Sequence, residues 1–146
     1  MVRIDIDYEG ELHCRARHGP SGRLLETDAP VDNHGKGESF SPTDLLATSL
    51  GACMATVMGI LARKRGWDLG GMTLRVEKIM SLEPPRRVTR LDVVLTLPEA
   101  HAALLDATAR VELEHTAHNC PVRLSLAPSV DVPVTFVWGA SEAATV

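Results

Sequence analysis

Aromatic residues and cysteines are both scarce in this sequence, and each scarcity excludes a class of protein. The few aromatics are spread along 146 residues, so the core must be mainly aliphatic. No basic run is interleaved with aromatic residues and the net charge is −4, which argues against nucleic acid as a partner. Three cysteines in a chain expected to be cytoplasmic do not indicate a structural disulfide framework, so they are interpreted as free, catalytic, redox-active or packed thiols.

A long apolar run is also missing from the N-terminus. The first residues, MVRIDID, alternate charged and apolar side chains, whereas a signal peptide has an unbroken apolar segment. We therefore expect a cytoplasmic protein with no membrane partner. The length suits a single domain, residues 1–146, with a sizeable core.

Residues 41–66 predict one long helix around which the rest of the chain is organised. Ser41 is suited to the N-cap, Pro42 to the first helical position, and Asp44 completes a carboxylate variant of the capping box. At the other end, Gly66 follows three basic residues and can adopt the left-handed conformation that terminates a helix.

The middle of this predicted helix carries no charge. Every residue from 45 to 62 is apolar, small or an uncharged hydroxyl, so no face of the helix is suited to water. A membrane span is the alternative, since about 20 apolar residues cross a bilayer, but the hydroxyls and glycines within the run favour a core helix. Residues 42–65 would measure about 36 Å, roughly the width of a domain of this length. We therefore expect a homodimer in which a second chain helps to cover the helix.

Alternating apolar and polar residues predict strands on both sides of this helix. The alternation occupies residues 2–8, 12–17, 23–27, 72–77, 90–97 and 130–138. Residues 28–38 read as a loop, Pro98 is predicted to open a helix that reaches about His118, and Pro121 a short one. Strands joined in hairpins give a mostly antiparallel sheet and an α+β fold, with the apolar strand faces packed on the helix.

Two cysteines could be reactive thiols, although a purely structural role is the simpler interpretation of each. Cys53 lies in the middle of the apolar helix, where a free cysteine usually behaves as a small buried hydrophobe. Cys120 precedes Pro121, where it would be a cap, a packed thiol or a thiolate favoured by a helix N-terminus. Cys14 points inward from a strand, and no role is assigned to it.

Other polar residues also have simple structural interpretations. His115, His118 and Cys120 form H-x-x-H-x-C, which could bind a metal, but no fourth ligand is near and solvated or capping histidines are favoured. Asp44 is most simply a capping carboxylate and Arg23 a solvated strand residue. We predict neither a metal nor a cofactor.

The segments around the two cysteines are the most specific feature of the sequence. SPTDLLATSLGAC ends at Cys53, HNCPVRLSL carries Cys120, and the chain closes on a strand ending Phe136-Val137-Trp138. These segments and the order of strands resemble the OsmC/Ohr family of osmotically inducible and organic-hydroperoxide-resistance proteins over nearly the whole chain. The resemblance implies an OsmC-like fold, in which two chains intertwine around their long helices.

The same resemblance implies an enzyme, a cysteine-based peroxidase active in oxidative-stress defence. In the family the first cysteine attacks a small organic hydroperoxide and becomes a sulfenic acid, and the second cysteine then forms a disulfide with it. By resemblance Cys53 is the peroxidatic residue and Cys120 the resolving residue. A cellular dithiol would then reduce the disulfide.

The sequence departs from the pattern of the active family members in two places. Those members carry an arginine in the turn after the second strand, where Pro20 or Ser21 stands here, with Arg23 close by. They also carry a glutamate just after the helix-opening proline, where Thr43 stands here and Asp44 follows. Arg23 and Asp44 are therefore candidate catalytic replacements. The alternative is a non-catalytic dimeric binder of a small apolar molecule, with the two cysteines retained from an ancestral activity.

Overall fold

The computed structural model describes residues 1–140, which form two compact units divided between Leu46 and Ala47. The secondary structure confirms the α+β class. In chain order its elements are β1 (Ile4–Gly10), β2 (His13–His18), β3 (Leu24–Asp28), a 3₁₀ turn (Val31–Asn33), α1 (Pro42–Arg65), β4 (Thr73–Met80), β5 (Val88–Pro98), α2 (Glu99–Ala102), α3 (Ala107–His118), α4 (Pro121–Leu124) and β6 (Val134–Ala140).

The first unit is built on an antiparallel sheet in the order β1-β2-β3. Ile6 pairs with Ala16, which pairs with Leu25, so these apolar residues share one face of the sheet. The prediction that this face is half-buried and packed on the helix is wrong for the single chain, where Ile6 and Tyr8 are each 66% exposed. The alternation identified the apolar face correctly but could not show which surface covers it.

Helix α1 begins and ends where the sequence predicts. The Asp44 N–H donates to Ser41 Oγ at 3.1 Å and the Ser41 N–H donates to the Asp44 carboxylate at 2.7 Å, which are the two hydrogen bonds of a capping box. At the far end Gly66 has φ = 73°, and the Trp67 N–H donates to the Ala62 carbonyl at 2.9 Å. This arrangement is a Schellman motif.

The second unit contains a sheet in the order β4-β5-β6, with β4–β5 antiparallel and β5–β6 parallel. Its core contains fully buried residues of β5, the buried residues Leu113 and Ala117 of α3, and one stripe of α1. Gly51 in this stripe lies so close to β4 that a Cβ atom added there would be 3.0 Å from Val76 Cγ2. The buried residues of these two elements are Val88, Leu91, Val93, Leu95 and Leu97 of β5 and Ala47, Leu50, Gly51, Met54, Met58 and Ala62 of α1.

The opposite side of α1 remains apolar and uncovered in the single chain. Ile60 is 52% exposed, and Ala52 and Gly59 are exposed as well. By length and composition α1 is also the one helix in residues 1–140 that could cross a membrane. Its buried stripe and its approach to β4 identify it instead as a core helix with one free face.

The single helix predicted from Pro98 to His118 is wrong, because the chain breaks it in two. Strand β5 continues through Pro98, whose ψ of 150° is not helical, and α2 then spans four residues. Asp106 stops the continuation, since its side chain accepts from the Ala109 N–H at 2.8 Å and caps a new helix, α3. The short helix predicted at Pro121 is confirmed as α4.

Candidate active site

The second unit brings Cys53 of α1 and Cys120 of α4 together. Their thiols are close enough to interact, although the residues are far apart in sequence. Both cysteines are free; Cys120 is completely buried, whereas Cys53 is only partly buried. A reagent in solvent would therefore reach Cys53 first.

Cys120 is held at the start of α4 as its N-cap. Its Sγ atom accepts a hydrogen bond from the Arg123 N–H at 3.4 Å. Burial raises the pKa of the Cys120 thiol, and the charge and hydrogen bond of Cys53 raise it further, while the N–H groups of Arg123 and Val122 oppose this shift. Cys120 is consequently a protonated thiol near neutral pH.

The charge and hydrogen bond of Cys53 disfavour ionisation of Cys120, so the two thiols form an interacting pair. Such a pair suits a reaction in which one sulfur is oxidised before the other is needed. A disulfide would require the two Cα atoms to lie within roughly 4.4–6.8 Å.

Arg123 and His118 lie close to Cys120 in the chain; the sequence suggested His118 only as a metal ligand and gave Arg123 no role. The Arg123 Nη1 donates to the His118 carbonyl at 3.1 Å, and the His118 ring packs edge-on against Phe136 with centroids 5.7 Å apart. Burial and then the positive charge of Arg123 lower the pKa of His118, and Glu114 partly offsets them. The contact of Arg123 with Cys120 could have been predicted from their spacing, because the N–H three residues after a helix N-cap points at the capping side chain.

The first histidine of the H-x-x-H-x-C motif contacts Asn119, whose Nδ2 atom lies 3.3 Å from His115 Nε2. The Asn119 side chain donates to the His115 carbonyl at 2.7 Å and so caps the end of α3. Across residues 1–140 no three His, Cys, Asp or Glu side chains converge to hold a metal ion.

Arg23, Asp44 and Cys14 belong to the first unit. Arg23 is exposed in the β2–β3 turn, where its carbonyl accepts from the His18 N–H at 2.9 Å. Asp44 has one carboxylate oxygen in the capping box of α1. Cys14 is partly buried opposite Tyr8 on the sheet. Catalytic roles for Arg23 and Asp44 stay predictions.

An apolar groove lies between α1 and α3 in the second unit. Its volume is ≈ 270 Å³ and Val57, Ile60 and Leu61 of α1 line it, with Thr116 of α3 on the other side and Lys64 at one end. Val57 is one helical turn beyond Cys53, so the groove begins near the partly exposed thiol.

Comparison with known proteins assigns the fold to a family. A model described as "OsmC-like protein" matches residues 35–135. A crystal structure from Psychrobacter arcticus 273-4, provisionally described as an osmotic stress induced and detoxification response protein, is 42% identical, covers 93% of this chain and 96% of its own, and superposes with a TM-score of 0.85. No curated protein matches the chain significantly.

More distant structures share the fold. An organic hydroperoxide resistance protein OsmC from Legionella pneumophila is 16% identical, with a TM-score of 0.73 and coverage of 94% of this chain and 96% of that one. An organic hydroperoxide resistance protein from Elizabethkingia anophelis is 13% identical, with a TM-score of 0.73 and coverage of 94% and 95%. On the family model and the Psychrobacter structure, the chain belongs to the OsmC-like protein family and has the OsmC-like fold.

Proposed function

We propose that this protein is a thiol peroxidase that reduces small organic hydroperoxides through Cys53 and Cys120 and acts in oxidative-stress defence. The observation that carries the proposal is the pairing of a partly exposed thiol with a buried one in an OsmC-like chain. Two relatives of the same fold are called organic hydroperoxide resistance proteins, which supports the same class of substrate.

In the first step Cys53 acts as the attacking thiolate. Its sulfur attacks the terminal oxygen of the hydroperoxide, the O–O bond breaks, and the alkoxide leaves as an alcohol after taking a proton. Cys53 becomes a sulfenic acid and the peroxide is reduced by two electrons. The apolar groove beside Cys53 favours an organic hydroperoxide over hydrogen peroxide.

In the second step the Cys120 sulfur attacks the sulfenic sulfur. The S–O bond breaks, hydroxide leaves and takes the Cys120 proton as water, and a Cys53–Cys120 disulfide forms. Oxidation of Cys53 also removes the negative charge that opposes ionisation of Cys120, so the second thiol becomes more reactive when it is needed. A cellular dithiol then regenerates the enzyme by thiol–disulfide exchange.

A thiolate at Cys53 requires positive charge nearby, since ionisation in a low-dielectric site is otherwise unfavourable. Arg23 remains the proposed source of this charge and Asp44 the carboxylate that orients it. They would replace the arginine and glutamate that active members of the family carry at neighbouring positions.

The active form is proposed to be a homodimer. Two apolar surfaces are uncovered in the single chain: the face of the first sheet that carries Ile6 and Tyr8, and the face of α1 that carries Ala52 and Gly59. Exposed apolar surfaces of this kind mark interaction sites. A second copy of the chain would bury both.

The groove itself supports a second candidate function, a dimeric binder of a small apolar molecule. In that case binding of an apolar probe would survive Cys53→Ser, and hydroperoxide would leave both thiols unchanged.

Peptide mass spectrometry after one equivalent of cumene hydroperoxide tests the proposed function. The wild-type chain is expected to form a Cys53–Cys120 disulfide, and Cys120→Ser to retain a dimedone-reactive sulfenic acid at Cys53. Cys53→Ser is expected to consume no peroxide, and Cys14→Ser, the matched control, to behave as wild type. Reduced thiols in the wild type with the peroxide intact would refute the peroxidase and favour the binder.

A further inference from the structure

Arg123 contacts both the resolving thiol and the helix before it. Its backbone N–H donates to Cys120 Sγ at 3.4 Å, and its guanidinium Nη1 donates to the His118 carbonyl at 3.1 Å. The Nε–H of Arg123 is buried and has no hydrogen-bond partner in residues 1–140, and none of the described carboxylates forms an ion pair with the guanidinium. The positive charge of Arg123 is therefore not neutralised by a described carboxylate, and it lies at the end of α3.

The end of α3 is a suitable partner for this charge. The last carbonyls of a helix lack intrahelical donors, and the negative end of the helix dipole favours a cation there. His118 is the final residue of α3, and its carbonyl is one of these acceptors. The guanidinium contact thus attaches α4 to the end of α3.

The attachment matters because α4 is only one turn long. A four-residue helix has little stability of its own, since helix nucleation is unfavourable. Cys120 lies between the end of α3 and the start of α4, so the direction of its side chain depends on how these two ends are fixed.

The pKa of the His118 ring depends on the same guanidinium of Arg123. Its pKa is lowered first by burial and then by the charge of Arg123; Glu114 raises it and His115 lowers it, both from α3 itself. Phe136 of β6 packs against the ring without a charge. Removing the guanidinium should therefore move the His118 titration upward.

We propose that Arg123 is a positioning residue for the resolving step: its guanidinium holds the first turn of α4 against the end of α3, and so keeps the Cys120 thiol directed at Cys53. The proposal rests on the proposed function, because the step it serves is disulfide formation. Arg123 takes no part in bond making, and attack on the hydroperoxide by Cys53 does not require it.

The test compares Arg123→Met, which keeps the length but loses the charge and donors, with Arg123→Lys, which retains a charge and a donor. Each is treated with one equivalent of cumene hydroperoxide and quenched over time. Arg123→Met should leave the loss of peroxide unchanged but slow disulfide formation roughly 10-fold or more, as expected for a misdirected reacting group. Arg123→Lys should recover most of the rate. Arg87→Met, at an exposed arginine of the β4–β5 hairpin, is the matched control.

A second readout uses the reduced protein without peroxide. The His118 titration, followed by NMR, should shift to higher pH in Arg123→Met and return toward the wild-type position in Arg123→Lys. If Arg123→Met does not fold, Arg123→Gln takes its place with the same expectations for rate and titration. Equal slowing of both chemical steps, or wild-type rates together with a wild-type His118 titration, would overturn the proposal. A wild-type chain that forms no disulfide refutes the peroxidase instead, and the titration still tests the contact separately.

Discussion

The thiol of Cys120 is completely buried and interacts with the partly exposed thiol of Cys53. This relationship makes the acidity of one sulfur depend on the state of the other. The burial of Cys120 keeps it protonated, and a thiolate at Cys53 would add a second reason for it to remain so.

Replacing Cys53 should therefore lower the pKa of Cys120. In Cys53→Ala the charge repulsion and hydrogen bond that raise this pKa are gone, whereas burial remains, so the titration should move down but stay above its ordinary value. Ultraviolet absorbance of the thiolate in a Cys14→Ser background measures the change without interference from the third cysteine. The same Cys120 titration with and without Cys53 would show that the two thiols are not coupled.

Disulfide formation should accelerate as pH rises from neutral into the alkaline range. The Cys120 thiol must lose its proton in the resolving step, and its raised pKa leaves little thiolate at pH 7. The midpoint should lie below the pKa of Cys120 in the fully reduced chain, because a sulfenic acid at Cys53 carries no charge. Quenched-flow trapping of the sulfenic acid between pH 6 and 10 gives this profile. A resolving rate that is flat across this range would contradict the prediction.

The dimer can be tested on the first sheet. Ile6→Asp places a charge on the exposed apolar face of β1 and should weaken the dimer. The mass measured by light scattering should then fall from that of a dimer to that of a monomer, or the melting temperature should fall as the protein is diluted. Asp7→Asn changes a neighbouring residue on the opposite face of the same strand and should leave the mass unchanged. A well-folded wild-type chain of monomer mass in dilute solution would rule out an obligate dimer.

Close packing between α1 and β4 predicts a coupled pair at Gly51 and Val76. A Cβ atom at Gly51 would lie 3.0 Å from Val76 Cγ2, so Gly51→Ala should destabilise the chain although alanine favours a helix. In a Val76→Ala background the space is free, and the same substitution should be more favourable by about 1 kcal/mol. Urea unfolding of the four proteins measures the coupling, and strictly additive effects would contradict it.

Local rules predicted the boundaries of α1 because its signals are local: the Ser41–Asp44 capping box and Gly66 fix its ends whatever surrounds it. The break before α3 was missed because apolar residues continue through Leu104 and Leu105, and Asp106 caps a helix only if the chain first turns. Residue patterns likewise identify the apolar face of β1 without showing what covers it.

Contact between Cys53 and Cys120 is not encoded in any local pattern. The two residues lie on separate helices, and only the packing of α1, α3 and the second sheet brings them together. The resemblance of their motifs to a known family supplied the pairing as an expectation. The place of Arg123 beside Cys120 follows from helix geometry, but its contact with the His118 carbonyl depends on the turn between α3 and α4.

The last prediction concerns the pair that holds the loop before α1. The Asp28 carboxylate is buried, contacts His13 Nδ1 at 2.5 Å and accepts from the Glu38 N–H at 3.0 Å. Bonding to His13 lowers the pKa of Asp28 below its ordinary 3.8, with the Glu38 N–H and the charge of Lys36 acting in the same direction. Bonding to Asp28 raises the pKa of His13 above 6.5, and Glu26 and Glu9 reinforce it.

The two shifts define a pH window. The contribution of Asp28 to stability is present above 3.8 and is lost as the pH falls through its lower folded-state pKa; that of His13 is present below 6.5 and is lost as the pH rises through its higher folded-state pKa. Asp28→Asn should therefore reduce the free energy of unfolding most between these two values and less at either side. Urea unfolding from pH 3 to 9 measures this difference, with Asp7→Asn as the exposed-carboxylate control. A deficit that stays constant from pH 3 to 9 would mean that Asp28 stabilises the loop only as a hydrogen-bond acceptor, without an ion pair to His13.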